Sequence, residues 1–162
     1  MDGSVAPTKL RADPVRMAPD DHTAAADDLI HTPLTDAESL RERWVHILSP
    51  LGFSETLLWF AFVDADGTLL PALNQLPMST TPVAGMIDVL LSRLAEVVDE
   101  SPDISVAFLL SRPGRDGITE ADAQWARLLV ESARRHHVPL YPVHRANGTS
   151  VVTLWTPTDA AA

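Results

Sequence analysis

The stretch that most constrains the fold is Ile104 to Leu129, ISVAFLLSRPGRDGITEADAQWARLL, where an apolar run breaks into a Pro/Gly loop and then into a helical pattern. Ile104 to Leu110 carries the β-branched and aromatic side chains of a buried strand. Pro113, Gly114 and Gly117 end that run. Thr119-Glu-Ala-Asp122 then has the spacing of a helix cap, in which a hydroxyl and a carboxylate three residues apart satisfy each other's backbone N–H groups.

The rest of the chain extends this unit. Thr35-Asp-Ala-Glu38 reads as a capping box, and Leu40, Trp44, Ile47 and Leu48 recur at helical spacing until Pro50 and Gly52. Glu55 to Val63 is a nearly continuous apolar strand, and Asp64-Ala-Asp-Gly67 turns it into a second strand from Thr68 to about Asn74. Between Pro82 and Pro102, Met86, Ile87, Leu90, Leu91, Leu94, Val97 and Val98 form one apolar helix face. The third helix runs from Thr119 to about His136, with Trp125, Leu128, Leu129, Ser132 and Ala133 on its inner side. Val138 to Arg145 reads as a strand, and Asn147-Gly148 is a hairpin signal that returns the chain along Ser150 to Trp155. The order is helix, strand, strand, helix, strand, helix, strand, strand, with crossovers long enough for parallel pairing. That is an α/β protein with a mixed sheet flanked by helices.

Residues 1–34 are rich in Asp, Ala and Pro and hold the acidic pairs Asp20, Asp21 and Asp27, Asp28. They are expected to form a disordered acidic tail, ahead of a single domain at 35–157 and a loose C-terminal tail at 158–162. With 12 basic against 22 acidic residues the formal charge is −10, so the field of the whole chain repels duplex nucleic acid. The absence of Cys removes thiolate metal sites and a Cys nucleophile. No segment has the apolar length of a signal core or a membrane span, which gives the expectation of a cytoplasmic protein. Arg in place of Lys, with abundant Ala and Pro, is the composition of a GC-rich bacterial genome.

The element order and the string SRPGRDGITEAD after the third strand resemble the JAB/MPN metalloprotease fold, above all its RadC-like branch. The resemblance spans roughly Glu55 to Leu154. It implies a mixed sheet flanked by helices, of JAB/MPN (RadC-like) or cytidine-deaminase-like type. In that family the loop reads H-x-H-P, a Gly-containing bend, then S-x-x-D. Here Pro113 matches the motif proline, Gly114 falls in the bend, Thr119 stands for the serine and Asp122 for the aspartate. The two histidine positions fall on Leu110 and Arg112, and the spacing to Asp122 is one residue short. A catalytic zinc needs about three protein ligands and an open position for water. Leucine supplies no ligand, and arginine is permanently charged and repels a cation. The family's general base is a glutamate from an earlier element; Glu55 is the nearest acid, at a strand edge. The strings Arg112-Pro113-Gly114, Thr119-Glu120-Ala121-Asp122, Trp125-Ala126 and Pro142-Val143-His144 also resemble a group of uncharacterised actinobacterial proteins, a group that supplies no function.

These readings imply a metal position degenerate at Leu110, Arg112 and Asp122, no cofactor, and a non-catalytic domain that works through protein contacts with a partner or a second copy. The alternative is a hydrolase of unrelated or relocated chemistry. Arg112, Gly114, Arg115 and Thr119 are a candidate site for a small anion or an acidic peptide end, because guanidinium groups there flank a turn at a helix N-terminus. The opposing expectation is that the arginines pair with Asp116, Glu120 or Asp122. Ser111 with His144 is a weaker serine-hydrolase candidate, lacking the G-x-S-x-G elbow. His136 and His137 fit the negative end of a helix better than a metal site. Trp59 and Trp155 are expected near sheet borders, where a dimer contact could form.

Overall fold

The computed structural model describes residues 32–157 apart from 80 and 102, so the expected C-terminal tail and residues 1–31 of the expected N-terminal one, with His22, His31 and the acidic pairs, lie outside the described residues. The last residue of that expected tail, Leu34, is buried, and its N–H donates to the Gly67 carbonyl at 2.8 Å. Eight elements follow in order: α1 (Ala37–Leu48), β1 (Leu57–Val63), β2 (Leu69–Pro77), α2 (Ala84–Glu100), β3 (Ser105–Ser111), α3 (Glu120–His136), β4 (Val143–Ala146) and β5 (Val151–Trp155). The strands form one sheet in the order β2-β1-β3-β4-β5. β1 is antiparallel to both β2 and β3, β3 and β4 are parallel, and β4 and β5 are antiparallel. The α/β class and the mixed sheet are therefore as expected.

Alternation along the strands builds two cores. Leu58, Phe60, Val106, Phe108, Leu110 and Val143 cluster with Ile87, Leu91 and Leu94 of α2 and Trp125 and Leu129 of α3. The opposite sheet face carries Ala61, Ala107, Leu109 and Ala146, which cluster with Leu40 and Trp44 of α1. Ala61 and Ala107 are cross-strand neighbours, and their small side chains leave depth for the Trp44 indole, which is fully buried. Two helices on one face and one on the other make three layers.

Several boundaries differ from expectation for identifiable reasons. The box that starts α1 is Asp36 with Ser39, not Thr35 with Glu38: Asp36 Oδ1 accepts from Ser39 N at 2.8 Å and Ser39 Oγ accepts from Asp36 N at 3.1 Å. β2 continues to Pro77 rather than stopping near Asn74, because its pairing with β1 runs through Leu57 opposite Pro77. The expected strand at Val138 to Arg145 shrinks to four residues preceded by an isolated bridge between Val106 and Leu140. Pro139 and Pro142 have no N–H to give to a ladder. The seven-residue apolar face of α2 splits: Ile87, Leu91, Leu94 and Val98 are buried, whereas Met86 and Val97 stay exposed. Arg43 of α1 is buried. Trp155 lies on the edge strand β5, but Trp59 sits on β1, one strand in from the edge, where its Nε1 donates to Ser111 Oγ at 2.8 Å.

Candidate functional site

The strand-loop-helix unit delivers Arg112 from the end of β3 and Asp122 from the first turn of α3 to one point. Thr119 caps α3, its Oγ1 accepting from Asp122 N at 3.2 Å, while Asp122 Oδ2 accepts from Thr119 N at 3.0 Å. That reciprocal cap, legible in the sequence, fixes the carboxylate. Arg112 then closes on it with two parallel bonds, Nε to Oδ1 at 2.7 Å and Nη2 to Oδ2 at 2.8 Å. Nη1 donates to Asp116 Oδ1 at 3.0 Å and to the Pro113 carbonyl at 3.1 Å, and Nη2 also donates to the Gly117 carbonyl at 3.2 Å. A guanidinium has five N–H groups. All five of Arg112 are engaged within its own loop and helix start.

The electrostatics follow from this geometry. Burial pushes the Asp122 carboxyl upward, but the Arg112 and Thr119 hydrogen bonds and the charges of Arg112 and Arg145 outweigh it and hold the group below the usual carboxylate range. Asp122 raises the Arg112 pKa in turn. Asp116 is lowered by its bond to Arg112. Beneath the pair lies Arg145 of β4, fully buried, with Nη1 3.9 Å from Asp122 Oδ2 and Nη2 3.5 Å from Ser150 Oγ. Its Nε and Nη1 have no hydrogen-bond partner, and burial pushes its pKa down. Sequence reasoning missed Arg145. The only available signal was a charged residue inside a strand pattern, which by itself does not say which face it takes.

The loop is also stitched to the β4–β5 turn. Arg112 N donates to the Ala146 carbonyl at 3.0 Å, Gly148 N to the Gly114 carbonyl at 2.8 Å, and Asn147 Nδ2 to the Asp116 carbonyl at 2.7 Å. Gly114 has φ +111°, and a Cβ there would lie 3.0 Å from Asp116 Oδ1 and 3.2 Å from Arg112 Nη1. Glycine is required at that position by conformation and by the ion pair seated over it.

Of the four residues expected to bind an anion, Arg112, Gly114 and Thr119 are engaged in these internal contacts. Arg115 has no ion-pair partner among the described residues and is exposed. Arg112 follows the competing expectation of local pairing. At the positions where the resemblance expects metal ligands, Leu110 is buried in the core facing α2 and α3, and Arg112 and Asp122 are paired with each other. Among the described residues no three His, Asp or Glu side chains are grouped so as to hold a metal. Ser111 and His144 do not meet: Ser111 Oγ accepts from Trp59, and His144 Nε2 lies 3.2 Å from the Ala37 carbonyl. His136 and His137 end α3 separately. His137 adopts a left-handed C-cap with φ 58°, and His136 Nε2 sits 2.9 Å from Asp88 Oδ1, which also accepts from Ser132 Oγ and Arg135 Nη2.

A pocket of about 330 Å³ adjoins the pair, with Leu110, Trp125, Thr56 and Ala121 around it. A larger one, about 570 Å³, lies at the other end of the strands between the start of α1 and residues 140–142, with Tyr141 and Asp36 on its wall. Asp36 is committed to the α1 cap. Among the described residues no helix is long and apolar enough to cross a membrane. No protein-family model and no curated protein matches the chain.

Proposed function

We propose that this chain is a non-catalytic α/β domain, of the JAB/MPN (RadC-like) type its loop resembles, that acts through protein contacts. The observation that supports it best is the saturation of Arg112. A permanent cation that spends all five N–H groups on its own loop and helix start stands where that family places a metal ligand, and it holds the one remaining carboxylate of the motif. Asp122, buried and paired, is not a free acid or base there.

The contact surface is α2. Val83, just before the helix, is followed by Met86, Leu90, Arg93 and Val97 in alternating steps of three and four, the spacing of a helix-packing seam. This row is separate from the buried row of Ile87, Leu91, Leu94 and Val98, and lies on the side of α2 opposite Asp88, which faces α3. Val83, Met86 and Val97 are 47%, 48% and 42% exposed. A second copy packed antiparallel on this row sets Met86 against the partner's Val97 and Leu90 against the aliphatic stem of the partner's Arg93. Sedimentation equilibrium at micromolar concentration is expected to give a dimer, and Met86→Glu with Val97→Glu a monomer of unchanged circular dichroism. A wild-type monomer at these concentrations would refute the α2 contact. Hydrolysis of peptide or isopeptide substrates that disappears in Asp122→Ala would refute the non-catalytic reading.

A further inference from the structure

Among the described residues β5 is an end strand and pairs only with β4. Between it and α3 runs a groove of about 330 Å³ whose floor includes Ala126, Val130, Leu154 and Trp155. Arg127 and Arg134 stand on its α3 wall with Glu131 between them. Both arginines are exposed, and neither has an ion-pair partner among the described residues, whereas Arg41, Arg112 and Arg135 are each paired with an acid. Unpaired cations beside a half-buried indole, in a chain of formal charge −10, select for a negatively charged visitor.

The strand edge supplies the second element. Asn147 N donates to the Ser150 carbonyl across the turn, so the antiparallel alternation turns the backbone groups of Val151 and Thr153 away from β4. Arg41 Nη1 approaches the Val151 carbonyl at 3.4 Å. The Thr153 N–H and C=O face the edge that no described strand covers, next to the groove.

We propose that this groove binds an extended acidic segment of a partner protein, which adds along β5 as a short strand; the proposal rests on the reading of the chain as an interaction domain and names the partner's chemistry. Backbone pairing at Thr153 gives register, apolar side chains of the segment rest on Leu154 and Trp155, and its carboxylates meet the two guanidinium groups. Arg127 and Arg134 are two helical turns apart, about 10 Å at 1.5 Å per residue. An extended chain advances about 3.3 Å per residue and turns alternate side chains to one face, so the matching carboxylates, both facing α3, are four residues apart. Glu131, midway, disfavours a further acid between them.

The test uses the full chain as bait for a displayed random heptapeptide library, with the Arg127→Glu/Arg134→Glu double variant as counter-bait. The expected binders carry two acids at that separation around apolar residues. Their synthetic forms should lose at least ten-fold in affinity on the double variant, bind Glu131→Gln several-fold more tightly, and shift the Thr153 amide in NMR spectra. Arg127→Lys/Arg134→Lys should retain most of the binding, and circular dichroism of every variant should match the wild type. The proposal is overturned if no acidic peptide is enriched, if the enriched peptides bind the double variant equally, if the Thr153 amide does not move, or if dextran sulfate competes as well as the peptides do. Failure here with the α2 dimer intact removes the groove alone, whereas a wild-type monomer removes the α2 contact whatever the groove does.

Discussion

Replacing His144 by Gln should flatten the acid limb of the stability profile. The imidazole is fully buried on the α1 side of β4, with Nε2 3.2 Å from the Ala37 carbonyl in the first turn of α1. Burial pushes its pKa from 6.5 down to about 4; the Ala37 carbonyl opposes the shift, and Arg41 and Glu38 act in opposite senses nearby. The native state therefore holds the ring neutral, while the unfolded chain takes up a proton near pH 6.5. A depressed native pKa gives stability that is complete above pH 6.5, falls as the pH drops from 6.5 towards 4, and is lost below that. At about 1.4 kcal/mol per pH unit the whole window is worth roughly 3 kcal/mol, a large share of the 5–15 kcal/mol typical of a domain. Urea unfolding followed by Trp fluorescence at several pH values between 7 and 4.5 gives the profile for both proteins. Carboxylates titrate in the lower part of the same window, so the difference between wild type and His144→Gln is the quantity to read. That difference should change by about 2–3 kcal/mol across the series. Superimposable profiles would show that the buried ring is not held neutral by the fold.

Three further changes separate structural roles around the loop. Asp122→Asn should destabilise the domain by about 3–5 kcal/mol, because it leaves Arg112 and Arg145 without their buried counter-charge; thermal and urea unfolding would measure it, and a loss below about 1 kcal/mol would argue that the pair is exposed in solution. Arg145→Met should be neutral or stabilising in the same assays, since two of its buried nitrogens have no hydrogen-bond partner and its closest charge contact is 3.9 Å away; a large loss would show that Arg145 carries the network. Gly148→Ala should cost about 1–3 kcal/mol, because the new Cβ would fall 2.9 Å from the Gly114 carbonyl oxygen, and unchanged stability would mean the turn and the Arg112 loop are not in contact.

Much of this architecture is legible in the residues, because local rules and tertiary packing agree there. Thr119 and Asp122 announce the α3 cap through spacing alone, and the apolar run from Ile104 announces β3. Where they diverge, the missing information is non-local. Seven apolar residues on α2 cover too wide an arc for one contact face, but the pattern does not say where the sheet beneath it ends, so exposed Met86 and Val97 read like buried Ile87 and Leu91. Arg112 has acids four and ten residues ahead. Only the fold shows that it grips Asp122 with two bonds and Asp116 with a third. Arg43 and Arg145 look like surface residues in sequence, yet both are buried, since a helix or strand charge is placed by its neighbours in space. Pro139 and Pro142 did carry a readable warning against a long β4, because a residue without an N–H weakens a central ladder.

The most direct test of the Arg112–Asp122 account is zinc titration of the full chain by calorimetry near neutral pH, in wild type and in Asp122→Ala. No stoichiometric binding that depends on Asp122 is expected, because its carboxylate is held by two bonds from Arg112 and its neighbours Leu110 and Arg112 offer no ligand. One zinc per chain in the wild type, abolished in Asp122→Ala, would contradict it.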